Sequence, residues 1–437
     1  MHADFISGHL DLAKKTGAKI YIAKSAECTF GHVSLEEGDE ITIENIHLQV
    51  LETPGHTPEH LSFVVTDKNR GDSPIGVFSG DTLFVGDVGR PDLFPDKAQF
   101  LADRLYHSLH DKLMQLPDYC EIYPAHGASS LCGRSMVAKY QSTIGYERKF
   151  NPPLQIPDKK DFIKSLTEDT PSASDHFSCC SDINRDGPKL VENLPELKRS
   201  TVSDFAQMIK YPHVQVLDTR NYLAFGGQHI QDSWRLDLNG NFPTFAGWVL
   251  PTDKDFVLIV DDADKAHESV VWAHRVGVDR IIGYLVGGMP AWLTSGSLTS
   301  SVTLLSPEEL HDMVVGENNF QLVDVRAKNG YEETHIKGVL NIETADLRTQ
   351  HDQLDPKKSV ILVCSSGNRS SLRTSILAQH GFDKLYNTAG GMTGYSAAGY
   401  SKERIVCSNH HGSRFFSEYM KIRISDISKG ENVCLPF

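Results

Sequence analysis

Cys364 closes a continuous apolar run, VILV (360–363), and opens the segment CSSGNRSS directly before a helical pattern. An unbroken apolar run of this kind reads as a strand buried on both faces, so the thiol is carried to the start of a helix. A helix N-terminus and a nearby cation both favour the thiolate, the nucleophilic form of cysteine. The loop through Ser365, Ser366, Gly367 and Asn368 to Ser370 turns backbone N–H groups into one concavity, which suits an anion. Gly367 permits the tight curve, and Arg369 supplies fixed charge for sulfite, thiosulfate or a persulfide.

A second group of chemistry-bearing residues lies nearer the start. Three apolar runs each end in a metal-type residue: IHLQVLETPGH at His56, IGVFSGD at Asp81 and YCEIYPAHG at His126. Pro and Gly before each residue force a turn that points the side chain over the strand ends, and strand ends in layered α/β folds meet on one rim. Two His and one carboxylate form the facial set that holds non-haem Fe(II) and leaves positions open for oxygen. The same residue types bind Zn(II).

These residues need strands to carry them, and the chain supplies strands in blocks. Beyond Ser200 it repeats itself. VQVLDTR (214–220) resembles FQLVDVR (320–326), and each is followed by a Tyr and a His-Ile pair. FVLIVDD (256–262) matches SVILVCSS (359–366), and GGMPAW (287–292) matches GGMTGY (390–395). Asp261 to Gly287 is 26 residues, as is Cys364 to Gly390. Residues 201–300 and 301–400 therefore read as two copies of one α/β domain with a parallel sheet. On the 26-residue spacing, Asp261 takes the place of Cys364. A carboxylate cannot carry sulfane sulfur, so the middle copy reads as an inactive scaffold. Residues 151–200 are Pro-rich and charged and read as a linker; 401–437 form a tail of weak periodicity. Within the linker, Cys179-Cys180 reads as two free thiols, with a redox pair as the other reading.

The motifs resemble known families. DVR, H-I-x-G, the Cys loop and GGM resemble the rhodanese domain. The C-x4-R spacing from Cys364 to Arg369 is one residue shorter than the C-x5-R loop of phosphatases of related architecture, a smaller cradle fit for a sulfur anion. In the first block, His2-Ala3-Asp4, TPGHT, SGD, YPAHG and the G-R-x-D loop in GDVGRPDLF (86–94) resemble the metallo-β-lactamase superfamily, and more closely the persulfide dioxygenases of its glyoxalase II-like branch.

That resemblance implies a partial αββα metallo-β-lactamase fold over residues 1–150, N-terminally truncated, followed by two rhodanese-like α/β domains. It implies one Fe(II) per chain, with Zn(II) as the alternative. His56 and Asp81 become metal ligands, His2 a nearby candidate, and Arg90 a contact for the carboxylates of a thiol cosubstrate or a pair with Asp92. The leading His of the family's H-x-H-A-D would precede Met1, so the chain as it stands is expected to bind iron poorly. Phe5 stands where binuclear relatives carry a His for a second metal. The implied activity is oxidation of a thiol persulfide by O2 to sulfite, coupled to sulfur transfer through Cys364. The rivals are a Zn-dependent thioester hydrolase and a sulfurtransferase on a metal-free scaffold.

Composition agrees with a globular enzyme. The chain has 437 residues and a formal charge of −14, against the basic face usual for a nucleic-acid protein. No stretch reaches the length of a membrane span, the opening MHADFISGH lacks the features of a signal peptide, and the 8 Cys contain no C-x-x-C. A cytoplasmic protein is expected, with small-molecule partners, no nucleic acid and no membrane; a homo-oligomer stays open.

Overall fold

The computed structural model describes residues 4–127, 133, 136, 139, 141–168, 176–240, 242–316, 319–344 and 346–404. His2 and the tail from residue 405 lie outside the described residues. The chain forms two compact units, Met1–Val302 and Thr303–Phe437. None of the described helices is long and apolar enough to cross a membrane.

After a short helix and a two-stranded sheet, the first unit builds a mixed sheet of β1 (Glu40–Ile43), β2 (Ile46–Glu52), β3 (Leu61–Asp67), β4 (Gly76–Gly80), β5 (Glu121–Pro124) and β6 (Ser142–Thr143), in spatial order β6-β5-β4-β3-β2-β1. Strands β2 and β3 pair over their full length, Ile46 to Asp67 and Glu52 to Leu61. The alternation of side chains gives the sheet two faces. Val64, Val77 and Ile122 face one way and are buried against Leu105 of α1 (Ala98–His107) and against Leu109 and Leu113 after it. Helices α2 (Ile144–Phe150) and α3 (Lys159–Thr167) close this layer through Ile144, Phe162 and Leu166. Asp158 caps α3, its side chain accepting from the N–H groups of Lys160 and Asp161. Residues 151–168, in the stretch read as a linker, thus contribute apolar side chains to the first core.

α4 (His176–Asp186) follows, and then the middle α/β domain, whose strands are β7 (Lys198–Ser200), β8 (Val214–Asp218), β9 (Trp234–Arg235), β10 (Asp255–Ile259) and β11 (Ile281–Leu285). All pair in parallel, in order β7-β11-β10-β8-β9. Helix α5 (Ala263–His274) follows β10, and α6 (Gly288–Thr294) follows β11.

The second unit repeats this plan. Its strands are β12 (Thr303–Leu305), β13 (Phe320–Asp324), β14 (Leu340–Asn341), β15 (Ser359–Val363) and β16 (Leu385–Thr388), in order β12-β16-β15-β13-β14. Helices α7 (Asn368–Gln379) and α8 (Gly391–Ala397) stand where α5 and α6 stand in the middle domain. The apolar run 360–363 is fully buried, as a central strand covered on both faces must be.

Each copy is braced by one buried ion pair. Arg220 and Arg326 fork onto Asp218 and Asp324, two residues earlier, and each guanidinium also donates to a carbonyl eight residues on, of Gln228 and of Thr334. Fork-on-carboxylate bonding satisfies both charges without water. This is the physical content of the repeated D-x-R.

Candidate active sites

The first site sits where β2, β4 and β5 end. His56 is buried, and its Nδ1 donates to the Arg90 carbonyl at 2.9 Å. A neutral imidazole that donates from Nδ1 keeps its lone pair on Nε2, the form that binds a metal. The loop carrying Arg90 crosses the site closely: a Cβ on Gly89 would lie 1.9 Å from the Asp81 carbonyl oxygen and 3.0 Å from His56 Cβ. Only glycine fits there.

Asp81 is held by His60, a histidine that no motif marks for chemistry. The Asp81 backbone N–H donates to His60 Nε2 at 2.9 Å. His60 Nδ1 therefore carries the proton and reaches the Thr53 and Thr82 hydroxyls at 2.9 and 3.0 Å. His126 Nε2 lies 3.1 Å from Asp81 Oδ1 and 3.2 Å from Asp4 Oδ2. His56, Asp81 and His126 thus share one rim, and Asp4, the last residue of the H-A-D motif, joins them.

The structure places two further residues of the motifs, and for Arg90 it shows the pair with Asp92. Arg90 is 2% exposed and its guanidinium is gripped by Asp92, Nε to Oδ1 at 2.8 Å and Nη2 to Oδ2 at 2.5 Å. Its link to the site is its carbonyl on His56. Phe5 is half exposed, with its ring 5.8 Å from the Arg275 guanidinium of the middle domain. The segment around it is clamped by Asn184 of α4, which receives the Ser7 N–H at 2.8 Å and donates to the Phe5 carbonyl at 2.9 Å. No sequence signal marks Asn184, because its partners lie about 180 residues away.

A cavity of about 230 Å3 opens at His126, lined by Val85, Tyr123, Met136 and Lys139 among others. Two larger hollows, about 540 and 480 Å3, border residues Asp11 and Lys15 and the middle domain.

Among the described residues, no group of three or more His, Cys, Asp and Glu side chains is arranged to hold a metal ion. His56 and Asp81 suit Fe(II) or Zn(II) by type: an imidazole whose Nδ1 is held by a backbone carbonyl, and a buried carboxylate. They fit part of a ligand set and do not complete it.

The second site is compact. Cys364 is 1% exposed, and its Sγ accepts the Gly367 N–H at 3.1 Å and the Ser370 hydroxyl at 3.3 Å. Gly367 has φ +92°, a value that only glycine adopts readily. Arg369, a half-buried residue, donates from Nη2 to Ser365 Oγ at 2.8 Å. The carbonyls of Cys364 and Ser365 accept from the N–H groups of Met392 and Thr393 at the start of α8, at 2.7 and 3.0 Å. Elsewhere in the chain, burial pushes the thiols of Cys120 and Cys180 up to about 11 and about 12, and also raises Cys179. Cys179 and Cys180 are free thiols, the latter pointing to the Arg275 carbonyl.

The middle domain has no such loop. Asp218 pairs with Ile259 as Asp324 pairs with Val363. The next residue, Val260, therefore takes the place of Cys364, and Asp261 lies one step further. From Val260 the helix begins three residues on, against four from Cys364. Asp262 caps that helix through the Lys265 N–H. The 26-residue spacing misled because β11 carries an extra residue: Phe256 pairs with Ile281 but Val257 with Gly283.

Both halves of the chain have counterparts among known proteins. A metallo-β-lactamase from Staphylococcus aureus subsp. aureus COL superposes with a TM-score of 0.56 at 33% identity, over 65% of this chain and 82% of that one. The chain belongs to the metallo-β-lactamase superfamily. The Rhodanese-like domain family matches residues 201–295 and 306–398, so the chain is a metallo-β-lactamase–rhodanese fusion. The persulfide dioxygenase of Bos taurus is 35% identical over 132 residues, 30% of the fusion and 44% of that relative. A hydroxyacylglutathione hydrolase of Pseudomonas putida is 34% identical over 125 residues, 29% and 44% respectively. The fusion spans about half the length of the curated relatives it matches.

Proposed function

We propose that the fusion works in sulfur metabolism, oxidising a low-molecular-weight thiol persulfide in its first domain and moving sulfane sulfur through Cys364 in its last. The net first reaction is RSSH + O2 + H2O → RSH + SO3²⁻ + 2 H⁺. One Fe(II) per chain would supply the oxygen chemistry, with His56 and Asp81 in its ligand set and His2 as a further candidate. The protein's own part is positioning: the Arg90 carbonyl fixes the His56 tautomer, His60 holds Asp81, and the cavity at His126 admits the thiol.

In the last domain the Cys364 thiolate attacks the outer sulfur of a persulfide or of thiosulfate. The S–S bond breaks, thiol or sulfite leaves with the electron pair, and Cys364 holds the sulfur as its own persulfide. Sulfite from the first domain can take that sulfur to give thiosulfate and the free thiolate. Fusion raises the local concentration of the shared intermediate. Substrate anions would meet Arg369 and the N–H groups of Ser365, Ser366, Gly367 and Asn368.

The observation that carries this reading is the convergence of Gly367 N–H and Ser370 O–H on the Cys364 sulfur. Similarity to a persulfide dioxygenase supports the first half. The test combines metal analysis with assays of persulfide-dependent O2 uptake and thiosulfate–cyanide transfer. Iron, with O2 uptake lost in His56→Ala and Asp81→Ala while Cys364 transfer persists, is the expected result. Zinc with thioester hydrolysis would replace the first half by the hydrolase reading, and neither metal by a scaffold.

A further inference from the structure

We infer that Asn387 is a positioning residue for the Cys364 nucleophile. The inference rests on Cys364 being the nucleophile and goes beyond it, to what holds the cradle in shape. Asn387 lies on β16 beside Leu362 of β15, two residues before Cys364. Its Nδ2 donates to the Gly367 carbonyl at 3.0 Å. Gly367 in turn aims its N–H at Cys364 Sγ. Three loop carbonyls are therefore pulled outward: those of Cys364 and Ser365 by the start of α8, and that of Gly367 by the Asn387 amide together with the Ser371 N–H in the first turn of α7. Turning carbonyls out turns the neighbouring N–H groups in, toward the sulfur.

Two observations favour a role tied to this one bond. Asn387 is fully buried, and its Oδ1 has no hydrogen-bond partner among the described residues. A buried acceptor left without a partner is costly, so packing alone would favour an apolar side chain here. The molecule also contains its own comparison. Leu258 pairs with Tyr284 as Leu362 pairs with Asn387, so the middle domain has Tyr284 in this place. That domain has Val260 for the cysteine and a loop one residue shorter. The amide occurs in the copy that has a cradle and not in the copy that lacks one.

The test reads the sulfur directly. Alkylation of Cys364 by iodoacetamide is followed by peptide mass in the full chain at pH 7, beside thiosulfate–cyanide turnover, with Cys364→Ser as the blank. Asn387→Ala and Asn387→Leu both lose the donor, and Leu keeps the size. Each should slow alkylation about ten- to a hundredfold, the worth of one hydrogen bond to a charged group, and lower kcat with little change in KM for thiosulfate. Thr388→Val removes the adjacent buried hydroxyl and should leave both rates unchanged. Rates within twofold of the parent in Asn387→Leu, an equal loss in Thr388→Val, or loss of the folded circular-dichroism signal in Asn387→Leu would each overturn the assignment. Failure of the parent chain to transfer sulfur would instead count against Cys364 as the nucleophile.

Discussion

Val260 and Cys364 end equivalent strands, each one residue beyond the partner of the D-x-R aspartate, Ile259 facing Asp218 and Val363 facing Asp324. The loops after these two strand ends differ in length: three residues to the helix in one copy and four in the other. In the longer loop the Gly367 N–H turns back onto the Cys364 sulfur. A thiol at 260 would have no cradle.

From this we expect Cys364→Ser to abolish thiosulfate–cyanide transfer, and Val260→Cys in that background not to restore it. Restored transfer in the double variant would show that the strand end alone makes the nucleophile.

Arg369→Ala should weaken transfer by roughly 1.5–3 kcal/mol, the cost of losing charge-assisted hydrogen bonds to the anion. Arg369→Lys should recover only part, because an ammonium lacks the planar fork. The structure adds a reason: the guanidinium of this half-buried residue donates to Ser365 Oγ through Nη2, a bond whose direction an ammonium does not fix. Steady-state kinetics with thiosulfate would decide, and parental kcat/KM in both variants would count against the role.

The rhodanese repeat was legible because its marks are local: the strand run, the D-x-R pair two residues apart, and glycines at fixed turns. The metal-type motifs were legible for the same reason, each lying at the end of one strand. The features that escaped depend on chain brought from afar or on irregular pairing. His60 reads as an unremarkable histidine until β4 sets the Asp81 N–H against it. Asn184 and Asn387 act on loops 179 and 20 residues away. The extra residue in β11 between Ile281 and Gly283 leaves no mark in composition, and it shifted the apparent place of the missing cysteine by one.

The Asp324–Arg326 pair should be worth most when half of it is removed. Asp324 is fully buried and Arg326 nearly so. Asp324→Ala leaves a guanidinium with a buried positive charge and should cost about 3–5 kcal/mol. The urea concentration that halves sulfur transfer should fall accordingly. A midpoint unchanged within error would mean that water reaches Arg326.

The middle domain should weaken in mild acid. His229 is buried, stacks on Phe225 with ring centroids 3.9 Å apart, and donates from Nδ1 to the Phe225 carbonyl. Burial lowers its pKa below the ordinary 6.5, outweighing the hydrogen bond to Phe225, which raises it. The sign comes from linkage. Above pH 6.5 the ring is neutral folded and unfolded, and its contribution is complete. Below 6.5 the unfolded chain takes up the proton first, so stability falls with pH until the folded value is passed. His9 and His110, also lowered chiefly by burial, act in the same direction within the first unit. All 4 Trp, at 234, 248, 272 and 292, lie in the middle domain, so tryptophan fluorescence reports its melting in the full chain. The melting temperature should drop between pH 7.5 and 5.5, and His229→Asn, which keeps a donor but does not titrate, should make the drop shallower. A slope identical to that of the parent would show that the ring at 229 is not the group being protonated.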